Sequence, residues 1–176
     1  MSQYTISRLK TFDGMQGQGF SLTLLRDGKT VAEVINNARG GAFIFRWVDI
    51  GARAIVKTVD FRDEPCEFGG TVEEAAFHAY VLTLPKYQQD ERLAYLTPDM
   101  VVDQLVNAVR CERRLKRAFK TKIVFIEAGI PYTYPVRAGQ NVELVMGAVK
   151  KHYPNAVMLN PLPIEEALPL AIRAGF

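Results

Sequence analysis

The chain reads as α+β: an N-terminal antiparallel β-meander packed with helices, followed by a smaller helix and strand section. Three observations predict this. Period-2 alternation dominates the first fifty residues, helical periodicity behind recognisable caps takes over after Gly69-Gly70, and strand patterns return only after Thr121. Strands come as a run and helices follow, rather than alternating one by one, which separates α+β from doubly wound α/β chains. At 176 residues, one domain over 1–176 is the default, with a subdivision near 85–96 as the alternative.

The meander opens with Tyr4 to Phe12, which carries Tyr4, Ile6, Leu9 and Phe12. The glycine-rich stretch Gly14-Met15-Gln16-Gly17-Gln18-Gly19 follows and is expected to be a mobile hairpin loop. Phe20, Leu22 and Leu24 alternate with Ser21 and Thr23, as a half-buried strand requires. Asp27-Gly28 predicts a hairpin, because a type I′ turn needs positive φ at both central positions. The return strand covers about Thr30 to Ile35, and Asn36 to Gly41 interrupts it. The next strand then places Phe43, Phe45 and Trp47 on one face, predicted to pack on later helices, with a shorter strand at Ala54 to Val59.

Thr71 and Glu74 form a capping box opening a helix that runs to about Leu84, before Pro85. Lys86 to Tyr95 reads as a polar connection or hinge. Thr97 as N-cap and Pro98 at the first helical position open a second, longer helix. Its expected buried stripe is Val101, Leu105, Ala108, Val109, Leu115 and Phe119. Strands follow at Ile123 to Ile126 and Tyr132 to Val136, across a turn at 128–131, with Pro135 arguing that the second lies at an edge or ends early. A helix over about Asn141 to His152 turns Val142, Val145, Met146 and Val149 inward. A short strand at Asn155 to Leu159 and a weak helix at Ile164 to Ala174, interrupted by Pro169, complete the chain.

Composition narrows the function classes. The sequence is 48% hydrophobic and 23% charged, an ordinary globular mixture. It shows no secretory leader and no apolar run long enough to span a bilayer, so no membrane partner is expected. Cys66 and Cys111 lie far apart, outside any Cys-x-x-Cys spacing, which favours ordinary thiols in a reducing cytoplasm. The formal charge is only +3, yet Arg110, Arg113, Arg114, Lys116, Arg117, Lys120 and Lys122 face a single acid, Glu112, within 110–122. That segment therefore carries +6 and the rest of the chain −3.

Arg110, Arg113, Arg114 and Arg117 fall at three- and four-residue spacing, so their guanidinium groups can line one side of the helix and meet successive phosphates, with Lys120 beyond them. The competing reading is a solvated helix end favoured by the dipole. Tyr132 and Tyr134 share one strand face and could offer stacking platforms beside the stripe. Gly17, Gly19, Arg39 and Gly40 mark loops able to approach a partner closely. Nothing assigns a catalytic, cofactor or metal role. His78 and His152 are the only histidines, a His78–Cys66 thiol–imidazole pair is conceivable but unforced, and Asp60, Asp63, Glu64 and Glu67 are read as an acidic loop.

The run from Phe20 to Val34, with Arg39-Gly40-Gly41 and Phe45-Arg46-Trp47, resembles the N-terminal meander of small uncharacterised proteins carried by bacteriophages and mobile elements. The similarity covers roughly the first fifty residues and brings no functional residues with it. It implies an accessory protein working in the bacterial cytoplasm. The expectation is a non-enzymatic protein that binds nucleic acid, or another polyanionic host macromolecule, through the basic helix. An inhibitor of a host enzyme or defence system, acting through the two loops, is the alternative, and a small enzyme built on Cys66 and His78 comes third. Oligomeric state is not legible.

Overall fold

The computed structural model describes residues 3–60, 64–85 and 96–176. The expected hinge at 86–95, and with it most of the 85–96 subdivision, lies outside the described residues. The chain groups into two compact units, Met1–Val106 and Asn107–Phe176, and the architecture is α+β as the pattern predicts.

The first unit opens with a four-stranded antiparallel meander in the order β1-β2-β3-β4: β1 (Tyr4–Gly14), β2 (Gly17–Arg26), β3 (Lys29–Asn36) and β4 (Ile44–Trp47). Asp27 and Gly28 take φ of 50° and 79°, the left-handed pair that the β2–β3 turn needs. The glycine-rich stretch is not an open loop. Only Met15 and Gln16 form the turn, and β2 resumes at Gly17. Gly19 is buried in that strand, at a position where a Cβ would collide with the Phe12 ring and the Asn36 carbonyl.

Register determines what the meander buries. Leu24 opposes both Ile6 and Ala32, Leu22 opposes Val34, and Ala32 and Val34 oppose Trp47 and Phe45, so the centre of one face is apolar. Helix α1 (Val72–Thr83) brings Phe77 to this face, fully buried. Its ring lies 4.8 Å from Tyr4, 6.1 Å from Phe45 and 6.0 Å from Trp47, so the aromatic strand packs on a later helix as expected.

The N-terminus of α1 is held from two directions. Thr71 Oγ1 accepts from Glu74 N at 3.1 Å while Glu74 Oε2 accepts from Thr71 N, the predicted capping box. Asp49, unflagged by the sequence, accepts from Glu73 N at 2.9 Å. One strand escaped the sequence reading: β6 (Pro65–Thr71) pairs with β5 (Arg53–Val59) as a separate ribbon. Of the acids read as a loop, Glu67 belongs to this ribbon, while Asp60 and Glu64 flank its strands. Glu64 N donates to Asp60 Oδ1, Glu67 pairs with Lys57 at 3.3 Å, and Asp63 lies outside the described residues.

Helix α2 (Pro98–Ala118) starts where Thr97-Pro98 predicts. Its buried residues are Val101, Val102, Val106, Cys111 and Leu115, whereas Leu105, Ala108, Val109 and Phe119 are only half-buried. The expected single stripe is corrected because the buried face shifts round the helix along its length.

In the second unit, β7 (Lys122–Glu127) is the centre of a three-stranded antiparallel sheet, ordered β8-β7-β9, with β8 (Ile130–Pro135) and β9 (Val157–Met158). Pro135 does lie on an edge strand. Val124 packs with Cys111, Leu115, Leu159, Ala167 and Ala171 on the side of α2 and α4 (Ile164–Arg173). Ile123 and Phe125 pack with Val149 and Ala156 on the side of α3 (Val142–His152). Two expectations are corrected. Val142 stands exposed at the first turn of α3, and α4 runs through Pro169, its fully buried Ala167 and Ala171 anchoring it. Beyond the two-residue β9, Asn160 completes the ladder with its side chain, Oδ1 accepting from Val124 N at 2.6 Å and Nδ2 donating to Lys122 O at 2.8 Å.

Truncating Phe77 to Ala should cost about 3–5 kcal/mol, since the surrounding rings cannot close the cavity. Trp47, the only tryptophan, touches that cavity, so urea unfolding followed by its fluorescence checks this directly. An unchanged midpoint would remove Phe77 from the centre of the core.

Candidate polyanion-binding cleft

Cys111 and Leu115, four residues apart, turn one face of α2 onto the sheet, and the helical period then places the arginines away from it. Arg113, Arg114 and Arg117 are exposed, and so is Lys120. Arg110 departs from the expectation: it is half-buried and engaged in an interaction of its own. Lys116 is paired with Glu112 one turn earlier.

The exposed cations do not stand in open solvent as a plain stripe. Arg114, Arg117, Ala118, Thr121, Lys122, Thr133 and Phe176 line a cleft of about 530 Å³. Lys122 and Thr133 reach it from the sheet because Val124, whose side chain faces α2, opposes Thr133, and Lys122 lies two residues before Val124. Arg114 donates to the Phe176 backbone oxygen and holds its guanidinium carbon 5.0 Å from the centre of the Phe176 ring, so that cation is fixed rather than swinging. Arg117 Nε donates to Arg113 O at 3.2 Å, leaving its terminal nitrogens to the cleft. Three cations and two hydroxyls thus converge with no carboxylate side chain among the lining residues. Burial lifts the nearby Cys111 thiol above its ordinary range despite the opposing influence of Arg114, which keeps it protonated and inert.

The tyrosines lie elsewhere. Tyr132 opposes Phe125 and Tyr134 opposes Ile123, so both share one face, as alternation predicts, but it is the α3 face of the sheet, opposite the arginines. Tyr132 stacks on Phe125 at 5.5 Å and on Tyr153 at 6.4 Å. Tyr134 forms a wall of a second groove, about 580 Å³, with Gln140, Leu144, Val145, His152 and Tyr153. A stacking platform beside the stripe is therefore corrected to one across the sheet from it.

In the first unit the two predicted partner loops meet. Gln16 N donates to Ala38 O at 2.8 Å, and the Gln16 side chain packs over Gly40, which takes φ of 75°. Gly17 and Arg39 are exposed on this combined surface, while Gly19 is not part of it. His78 meets Phe68 edge-on at 5.6 Å, and among the described residues no three or more His, Cys, Asp or Glu side chains are placed to hold a metal ion. No helix among them is long and apolar enough to cross a membrane.

No family model, curated protein or solved structure matches this chain. The residues themselves therefore carry any functional reading. Those of the cleft that sequence reasoning missed are Thr121, Thr133 and Phe176. The strand alternation that singled out Tyr132 and Tyr134 could have placed Thr133 on the opposite face, but nothing local announces Phe176, sixty-two positions from Arg114.

Burial holds His78 below its usual 6.5, against the pull of Glu74 and Asp99. A depressed folded-state value means the unfolded chain takes up the proton first. The contribution of neutral His78 is thus complete above about pH 6.5 and is lost as the pH falls toward its folded value. Asp99, raised by burial, has the opposite sign in a more acidic window. Urea midpoints read by Trp47 fluorescence should fall more steeply between pH 7 and 5 in the parent than in His78→Phe. Parallel curves would show that His78 does not carry the effect.

Proposed function

We propose that this protein binds polyanions, nucleic acid foremost, through the basic cleft of its second unit. The observation carrying this reading is the convergence of Arg114, Arg117 and Lys122 with the Thr121 and Thr133 hydroxyls in one cleft with no carboxylate side chain among its lining residues. Guanidinium groups suit phosphate because they present paired donors in a plane, and hydroxyls add neutral donors at closer range. Arg113 and Lys120, exposed nearby, extend the positive field along a strand longer than the cleft. The phage-type resemblance of the first fifty residues supplies an expected setting, a bacterial cytoplasm in which nucleic acid is the abundant polyanion.

Binding should be tested with nuclease-treated protein by mobility shift across a salt series. The expected affinity falls linearly in log–log form with salt, and Arg117→Ala/Lys122→Ala should weaken binding and lower the slope by about 1–2. Arg114 is better left intact in this test, since it also anchors Phe176. No binding at low salt, or an unchanged slope in the double variant, would overturn the proposal.

A second reading has an observation of its own. The Gln16–Ala38 hydrogen bond joins the Met15–Gln16 turn to the 37–41 loop, and Met15, 88% exposed, sits at the tip. Such a tip fits a shallow pocket on a host enzyme or defence protein. Capture of a bacterial protein that survives nuclease treatment and is lost in Met15→Asp would favour this reading.

A further inference from the structure

Strand β8 is the outer strand of its sheet, and two successive residues on it serve the two clefts: Thr133 lines the basic one and Tyr134 the aromatic one. We infer that the preferred ligand is single-stranded nucleic acid that crosses the β8 edge, with phosphate in the basic cleft and an unstacked base in the groove behind Tyr134. The inference rests on the polyanion-binding reading and deepens it by choosing the strand state of the ligand.

The chemistry of the two faces matches the two halves of a nucleotide. On one side stand Arg117, Lys122 and two threonine hydroxyls. On the other, Tyr134 is 51% exposed, Leu144 is 75% exposed, and Tyr132 and Tyr153 lie nearly parallel, 15° apart, behind them. The groove, at about 580 Å³, is of the size that holds small flat ligands. Bases within a duplex are already stacked and paired, so their faces are out of reach of such a groove, whereas a single strand offers each base's π-face freely.

The edge itself is unsuited to the obvious competitor, an added peptide strand. Val136 N donates inward to Thr121 O at 2.8 Å, so by alternation the even-numbered backbone nitrogens of β8 point toward β7 and the odd-numbered ones outward. The outward positions are Pro131, Thr133 and Pro135, and proline has no N–H to donate. Only Thr133 could donate to an incoming strand, so the edge offers one outward N–H in place of three and resists backbone pairing, while its two faces remain accessible.

The test is fluorescence anisotropy of the full chain with a short oligothymidylate, an abasic strand of equal length, a duplex and inorganic polyphosphate at matched salt. The oligothymidylate should bind about tenfold or more tighter than the other three. Tyr134→Ala should cost about 5- to 100-fold on the oligothymidylate alone without changing its salt slope, and Tyr134→Trp should restore binding. Tyr134 is exposed, so the alanine variant is expected to fold, which circular dichroism checks. Equal binding of duplex, abasic strand and oligothymidylate, or indifference to Tyr134→Ala, would overturn the crossing path while leaving the basic cleft standing. Failure of all four probes to bind would overturn both readings together.

Discussion

Strand β7 has to be covered on both faces. Ile123, Val124 and Phe125 follow one another, all buried, so no arrangement with a solvated side is open to the second unit. A hydrophobic run of this kind in the middle of a sheet calls for helices above and below, and α2 with α4 takes one face while α3 takes the other. The placement of both clefts follows from that partition. The cations arrive with α2 on one side, the aromatic groove forms against α3 on the other, and β8 is the line along which the two meet.

The first unit depends on a different device. Its meander has one apolar face, and a single side chain, Phe77, serves as the keystone on which Tyr4, Phe45 and Trp47 lean. A keystone works only if the helix carrying it is placed accurately, and the caps do that. Thr71 and Glu74 close the first turn reciprocally, and Asp49 adds a longer-range tie. Burial raises the Asp49 carboxyl, but amides from Glu73 and Val72 and the Thr71 hydroxyl outweigh it and hold the group below its usual range, ionised where the helix dipole favours charge. Gly70 is required beside this cap because a Cβ there would strike Glu74 and Val56.

Local rules made much of the fold legible. Asp27-Gly28, Thr71 with Glu74, Thr97-Pro98 and Pro135 each state a backbone requirement within four residues, and each marks the feature it implies. What escaped depends on contacts distant in sequence. The β6 strand carries Pro65, Gly69 and Gly70 and reads as loop until its pairing with β5 is seen. The shift of the buried face along α2 reflects what each part of the helix packs against, which no periodicity within the helix can report. The site divides likewise: the cations were legible as a charge run, their sheet-side hydroxyl was hidden on the strand face opposite the tyrosines, and Phe176 joins only through tertiary folding.

The closing of the β7 ladder by Asn160 has a chemical consequence. A side-chain amide standing in for backbone offers a donor to Lys122 and an acceptor to Val124 at once, and conversion to aspartate would set an anion against the Lys122 carbonyl. Asparagine in proteins commonly undergoes that conversion with age, when the nitrogen of the next residue attacks the side-chain carbonyl. Here the next residue is Pro161, whose nitrogen carries no hydrogen and is already fully substituted. The clasp is thus protected from spontaneous deamidation by its own neighbour, and the second unit gains chemical durability at the point where its shortest strand would otherwise leave the sheet unfinished.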